Sequence, residues 1–143
     1  MSQQRGPVEH PPRHGSGAPA VSVIVPARNE RMTIDACLDS ILAQEGPDLE
    51  VVVVDNDSTD GTSELLDARA ASDERVRVVH NPTPSIPASL NMAVAEARGE
   101  WLVRVDAHST IPPGYVAHAV ARLAENRWAG VGGRKIAVGR SPV

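Results

Sequence analysis

Trp101-Leu102-Val103-Arg104-Val105-Asp106-Ala107-His108-Ser109 is an apolar run that ends in an acid and an imidazole. Read as a buried strand from Trp101 to Asp106, it delivers two metal-ligand side chains, two residues apart, to the C-terminal edge of a sheet. Open α/β folds bind their ligands at that edge. Taken alone, the pair has a plainer reading, with Asp106 capping the next turn and His108 solvated. The rest of the chain decides between the two.

Upstream, the same grammar repeats. Val21-Ser22-Val23-Ile24-Val25 is a β-branched run stopped by Pro26, and Glu50-Val51-Val52-Val53-Val54 and Arg75-Val76-Arg77-Val78-Val79 are two more. Between them lie helical patterns. Ile34, Cys37, Leu38, Ile41 and Leu42 follow the spacing of one helix face, and Gly46-Pro47 stops that helix. Leu65 and Leu66 sit in a helix entered through the small polar residues Asp55 to Thr62. After a Pro-broken loop from His80 to Pro87, Leu90, Ala93, Val94 and Ala97 share a face closed by Gly99. Pro112-Pro113 opens a helix with Val116, Ala119, Val120 and Leu123 in register, and Ala129-Gly130-Val131-Gly132-Gly133 begins a fifth strand. Alternating strands and helices with short connections predict an α/β, doubly wound, mainly parallel sheet with helices on both faces.

Composition agrees with that class. The 143 residues suit one domain. With two Trp, one Tyr and no Phe, the core must be aliphatic, as in a parallel sheet of Val and Ile strands. A net charge of -4 and the lack of a Lys/Arg run argue against nucleic acid as a partner. Cys37 is the single cysteine, so no internal disulfide forms and a reducing compartment is expected. Residues 1–20 are rich in Pro, Gly, Gln and His and read as a disordered leader, so the domain is expected to span 21–143. No apolar run reaches the ~20 residues of a membrane span.

Three polar segments follow strand ends: Pro26 to Glu30, Asp55 to Asp60, and Asp106 to Ser109. In a parallel sheet they share one rim. No Gly-rich phosphate turn follows the first strand, which argues against a dinucleotide dehydrogenase or a P-loop enzyme. Asp55-Asn56-Asp57-Ser58-Thr59 also looks like the D-x-D-x-T motif of haloacid-dehalogenase-like phosphatases. That would make Asp55 a nucleophile and Asp57 a general acid/base, but the motif stands on the second strand and Lys135 is the only lysine.

The whole set resembles the nucleotide-binding half of family 2 glycosyltransferases with the GT-A fold. The pieces that carry the resemblance are Val21 to Glu30, Val53-Val54-Asp55-Asn56-Asp57-Ser58-Thr59-Asp60-Gly61-Thr62, Ala88-Ser89-Leu90-Asn91-Met92-Ala93, and Ala97-Arg98-Gly99-Glu100-Trp101 leading into Asp106-Ala107-His108. The Asp-Ala-His-Ser form with Pro113-Gly114-Tyr115 and Val131-Gly132-Gly133 is similar to the succinoglycan-biosynthesis glucosyltransferases. The resemblance implies a UDP-sugar donor, a saccharide or lipid-linked acceptor, transfer with inversion, and Mn2+ or Mg2+ as cofactor. It implies that Pro26, Arg28, Glu30, Asp55, Asn56, Asn91 and Asp106 bind the donor. Asp106 and His108 would hold the metal, with imidazole favouring Mn2+ over Mg2+. Asn56 departs from the family, which commonly has Asp there; its amide oxygen is expected to accept the uracil N–H. The general base is expected beyond Val143, leaving either a donor-binding fragment or an enzyme whose acceptor half lies elsewhere. A cytoplasmic location follows, at the inner membrane face if absent residues supply an anchor.

Overall fold

The computed structural model describes residues 17–125 and 130–132. Four strands, β1 (Val21–Ala27), β2 (Leu49–Asp55), β3 (Val76–His80) and β4 (Trp101–Arg104), form one sheet in the order β3-β2-β1-β4. Every neighbouring pair is parallel. Helices α1 (Ile34–Leu42), α2 (Thr62–Ser72), α3 (Ile86–Glu96) and α4 (Tyr115–Ala124) alternate with the strands.

The two faces of the sheet fill two cores, because side chains alternate along each strand. On one face Val21, Val23, Val25, Val51, Val53 and Val103 pack with Ile34, Cys37, Leu38 and Ile41 of α1, Leu66 of α2 and Val116 of α4. On the other, Ile24, Val52 and Val54 meet Ala93, Leu90 and Met92 of α3. The sheet is thus covered on both faces, as the continuous valine runs predict. β1 and β2 are buried at every residue.

Strand order places the binding crevice. The chain steps outward from β1 through β2 to β3, then returns to the opposite side of β1 for β4. The order therefore reverses between β1 and β4, and ligands of doubly wound sheets bind beyond the strand ends at such a reversal.

A buried polar knot at the other end of the sheet locks that return. Val21 pairs with Leu49 and Ser22 with Glu50 in register, and Glu50 is only 2% exposed. Its carboxylate accepts from Ser22 Oγ at 2.6 Å, from the Arg98 backbone N–H at 2.7 Å, and from the Arg98 guanidinium at 2.8 and 3.0 Å. Arg77 adds a contact at 3.2 Å, and Ser22 Oγ accepts from the Gly99 N–H at 2.8 Å. Burial works to raise the Glu50 pKa, yet the bonds from Ser22 and Arg98 and the Arg77 charge outweigh it and hold the carboxyl below its ordinary range.

Several boundaries differ from those read in the sequence. β4 stops at Arg104, although the Val105 N–H still donates to the Ile24 carbonyl, so Asp106 stands in the loop after the strand. α4 starts at Tyr115, because Gly114 occupies the N-cap at φ 78°. Val94 faces solvent, 48% exposed, since α3 presents Ala93 and Leu90 to the sheet instead. Ala20, placed in the leader by composition, bonds Asp48 and Trp101 and belongs to the sheet margin, while residues 1–16 lie outside the described residues. Of the expected fifth strand, Gly130 to Gly132 is irregular, and positions 129 and 133 lie outside the described residues.

Candidate functional site

The three polar segments meet on one rim. Turns after β1 and β2 are stitched directly: the Asn29 N–H donates to Ser58 Oγ at 2.9 Å, and the Thr59 N–H returns a bond to Asn29 Oδ1 at 2.8 Å. The Glu30 N–H donates to Thr62 Oγ1 at 2.9 Å, and Arg31 reaches Asp60 through its backbone N–H at 3.2 Å. Two residues hold left-handed backbone to make these turns, Asn29 at φ 52° and Asp57 at φ 53°. Asn and Asp tolerate that region better than other non-glycine residues.

The turn after β4 joins from the other side of β1. His108 Nδ1 lies 3.3 Å from Glu30 Oε1, while Glu30 Oε2 accepts from Thr33 Oγ1 at 2.7 Å. Asp106 Oδ1 accepts from Arg104 at 3.1 Å. Beneath them the buried Cys37 thiol donates to the Asp106 carbonyl at 3.6 Å. Burial, and then the negative charges of Asp106 and Glu30, push that thiol up to about 12. Glu30, Asp106 and His108 therefore surround the reversal between β1 and β4.

Asp55 ends β2 and is 2% exposed. Its Oδ2 accepts from Ser63 Oγ and from His80 Nδ1, the latter at 3.2 Å, whereas Oδ1 has no partner. Burial opposes the charge, but Ser63, His80 and the nearby Ser58 hydroxyl prevail, and the carboxyl stays below its ordinary range. His80, opposite Asp55 in the register, also bonds Asp67 on α2 at 2.9 Å. Asp67 first, then Asp55, raise the His80 pKa against the effect of burial.

Asn56 is 1% exposed, and its oxygen is already engaged by Asn81 Nδ2 at 3.0 Å. What it leaves without a partner is the amide nitrogen. The oxygen expected to accept the uracil N–H therefore already holds one hydrogen bond, from Asn81. Pro26 is buried in β1 opposite Val54, and Arg28 is exposed beside it with no ion pair among the described residues. Asn91 is exposed on α3 and makes no hydrogen bond to the acidic turns among the described residues. Sequence reading missed His80 and Asn81 by assigning them to a Pro-broken loop; a strand one residue longer would have set them beside Asp55.

Among the described residues no group of three or more His, Cys, Asp or Glu is arranged to hold a metal. The donors present, the Asp106 carboxylate and the His108 imidazole, suit a borderline cation such as Mn2+ but form an incomplete shell. Past this rim, Pro112, Gly114, Tyr115, His118, Arg122 and Val131 line a cleft of about 750 Å³.

Residues 22–142 match the model of glycosyl transferase family 2. The chain belongs to this family. It is 37% identical over 101 residues to the succinoglycan biosynthesis protein ExoA of Rhizobium meliloti, covering 68% of this chain and 31% of that protein. It is 34% identical over 100 residues to the hyaluronan synthase of Pasteurella multocida, covering 70% of this chain and 10% of that one. Among solved structures, the mannosyltransferase PcManGT of Pyrobaculum calidifontis, in complex with GDP-Man and Mn2+, superposes with a TM-score of 0.69 at 37% identity. That match covers 76% of this chain and 33% of the mannosyltransferase. TarS 1-349 of S. aureus in complex with UDP gives 0.66 at 31% identity, covering 82% of this chain and 38% of TarS. The fold is that of the GT-A glycosyltransferases, and the chain spans between 10% and 38% of the length of these relatives. Among the described residues no helix is long and apolar enough to cross a membrane.

Proposed function

We propose that this family 2 domain binds a nucleoside diphosphate sugar, UDP-linked by the sequence resemblance, across the rim between β1 and β4, and that a divalent cation joins it there. The observation that carries the reading is the meeting of Glu30 and His108 at 3.3 Å beside Asp106, on the switch point of the sheet. The neighbours support it: one solved relative holds GDP-Man and Mn2+, and another holds UDP.

The chemistry explains the residue types. Displacing a nucleoside diphosphate from an anomeric carbon leaves negative charge on the departing phosphates, and a bound divalent cation neutralises that charge. Asp106 and His108 would hold it. Arg104, bonded to Asp106, fixes that carboxylate's direction and reduces the repulsion it would exert on a diphosphate. Glu30 holds the His108 ring through Nδ1, which leaves Nε2 as the ligating atom. Asp55 and Asn56 line the base side of the rim, and Arg28, exposed beside it, supplies positive charge toward the donor. Inversion requires a general base on the opposite face of the sugar. The cleft lined by Tyr115, His118 and Arg122 is where a saccharide or lipid-linked acceptor would lie. A cytoplasmic site of action, where nucleotide sugars are available, belongs to the same proposal.

The test is calorimetric titration of UDP with and without Mn2+. Binding strengthened by Mn2+ is expected; no UDP binding in either condition would overturn the reading. Sugar transfer separates a complete enzyme from a donor-binding fragment. The phosphatase alternative loses support, because Asp55 is buried and committed to Ser63 and His80.

A further inference from the structure

The cleft past the rim is lined by a single face of α4. Tyr115, His118, Ala119 and Arg122 fall three and four residues apart, the spacing that stacks side chains on one side of a helix. The chemistry of that lining is one-sided. Among the described residues Arg122 is its only formally charged side chain, and no carboxylate joins it. His118 is exposed and makes no side-chain hydrogen bond or ion pair among the described residues. Arg122 has one competitor, Glu125, at 3.8 Å; the two side chains are 54% and 43% exposed, so water screens the pair and leaves the guanidinium available. The first turn of α4 carries no acid, so nothing in it offsets the positive end of the helix dipole at Gly114. The chain as a whole has a net charge of -4, which makes this cationic lining a local feature and not a reflection of bulk charge.

We propose that the cleft selects an acidic saccharide, whose carboxylate or phosphate is bound by the Arg122 guanidinium and the His118 ring N–H while the Tyr115 ring packs on the sugar. This rests on the reading of the cleft as the acceptor site. A guanidinium offers parallel N–H donors that match a carboxylate or phosphate, whereas a neutral hydroxyl leaves its charge unanswered. The cleft volume of about 750 Å³ is that of a small-molecule site. Leu, Ile, Met and Phe, which would seat a lipid tail, are absent from the lining among the described residues. Four residues carry the chain from His108 at the rim to Pro112 at the cleft, a span of at most ~14 Å. One short oligosaccharide can therefore reach from Arg122 to the donor rim. The domain thus sorts acceptors by charge, on a surface separate from the one that holds the donor.

The experiment is an NMR titration of the isotope-labelled chain with methyl glucuronide, glucose 6-phosphate and, as the neutral control, methyl glucoside. At least one of the two anions is expected to bind about fivefold more tightly than the glucoside, with amide shifts centred on Tyr115 to Arg122. Which anion leads tells carboxylate from phosphate. Arg122→Gln should bring the anions down to the affinity of the glucoside, whereas Glu125→Gln removes the competing carboxylate and should tighten them by roughly twofold. Damage to the fold does not produce opposite responses at two exposed positions of one helix end. Equal affinity for all three sugars, or an anion preference that survives Arg122→Gln, overturns the inference; equal binding with shifts in the cleft leaves the acceptor reading standing. Shifts that centre elsewhere, or no sugar binding at all, remove the acceptor reading and the inference together, and UDP titration of the same chain reports the donor rim independently.

Discussion

Replacing Glu50 by Ala probes the knot that closes the sheet away from the nucleotide rim. The lost bonds are those from Ser22 Oγ at 2.6 Å, from the Arg98 N–H at 2.7 Å, and from the Arg98 guanidinium at 2.8 and 3.0 Å. The ion-pair part must be discounted, because the Arg98 and Arg77 side chains are 55% and 32% exposed and can return to water. What remains is two short bonds to a buried charge, a stranded Arg98 N–H and a small void. Together these cost about 3–5 kcal/mol, a large share of the roughly 5–15 kcal/mol that holds a domain folded. Urea unfolding followed by circular dichroism should show the midpoint falling at unchanged slope. Glu50→Gln keeps the shape and loses the charge, costing about 2 kcal/mol. The carboxyl is held below its ordinary range, so its contribution is present above a carboxylate pKa of ~4.3 and disappears as pH falls through the folded value. The gap between wild type and Glu50→Gln should therefore close in acid. A Glu50→Ala loss under about 1 kcal/mol, or a gap indifferent to pH, would refute the reasoning.

Gly99→Ala should destabilise by about 2–3 kcal/mol, since its Cβ would stand 2.5 Å from Ser22 N and 2.6 Å from Val21 C, backbone atoms that cannot swing away; a thermal melt within a degree of wild type would contradict this. His80→Gln tests the Asp67–His80–Asp55 bridge. The raised His80 pKa contributes stability that is full below ~6.5 and lost as pH climbs through the folded value, so wild type should lose its advantage over the variant in mild alkali. His108→Ala should abolish the Mn2+-dependent gain in UDP affinity, about tenfold or ~1.4 kcal/mol, and leave metal-free binding in place; titrations in Mn2+ and in chelator separate the two.

The alternating strands and helices were legible because valine runs and the 3.6-residue spacing of Ile34, Cys37, Leu38 and Ile41 are local signals. The convergence of Glu30, Asp55 and Asp106 on one rim followed from parallel topology alone. Glu50 was not legible as a buried charge, because its partners arrive from Ser22, Arg77 and Arg98, far away in sequence. The hint available was an acid within an apolar strand, beside a serine in another. The polarity of Asn56 was beyond any sequence pattern, since it depends on a backbone N–H at Thr83 two side chains away. Asn91 was chosen by family likeness, and among the described residues it is exposed on α3 with no hydrogen bond to the acidic turns.

The bonds that tie Asn29, Glu30 and Arg31 to Ser58, Thr59, Asp60 and Thr62 make one composite jaw from two loops. Neither half can be redesigned by itself: a transplant that exchanges the first loop from another transferase while keeping the second would break both halves of the Asn29 clasp. Engineering of donor choice in this scaffold should graft residues 28–33 and 57–62 as a matched set.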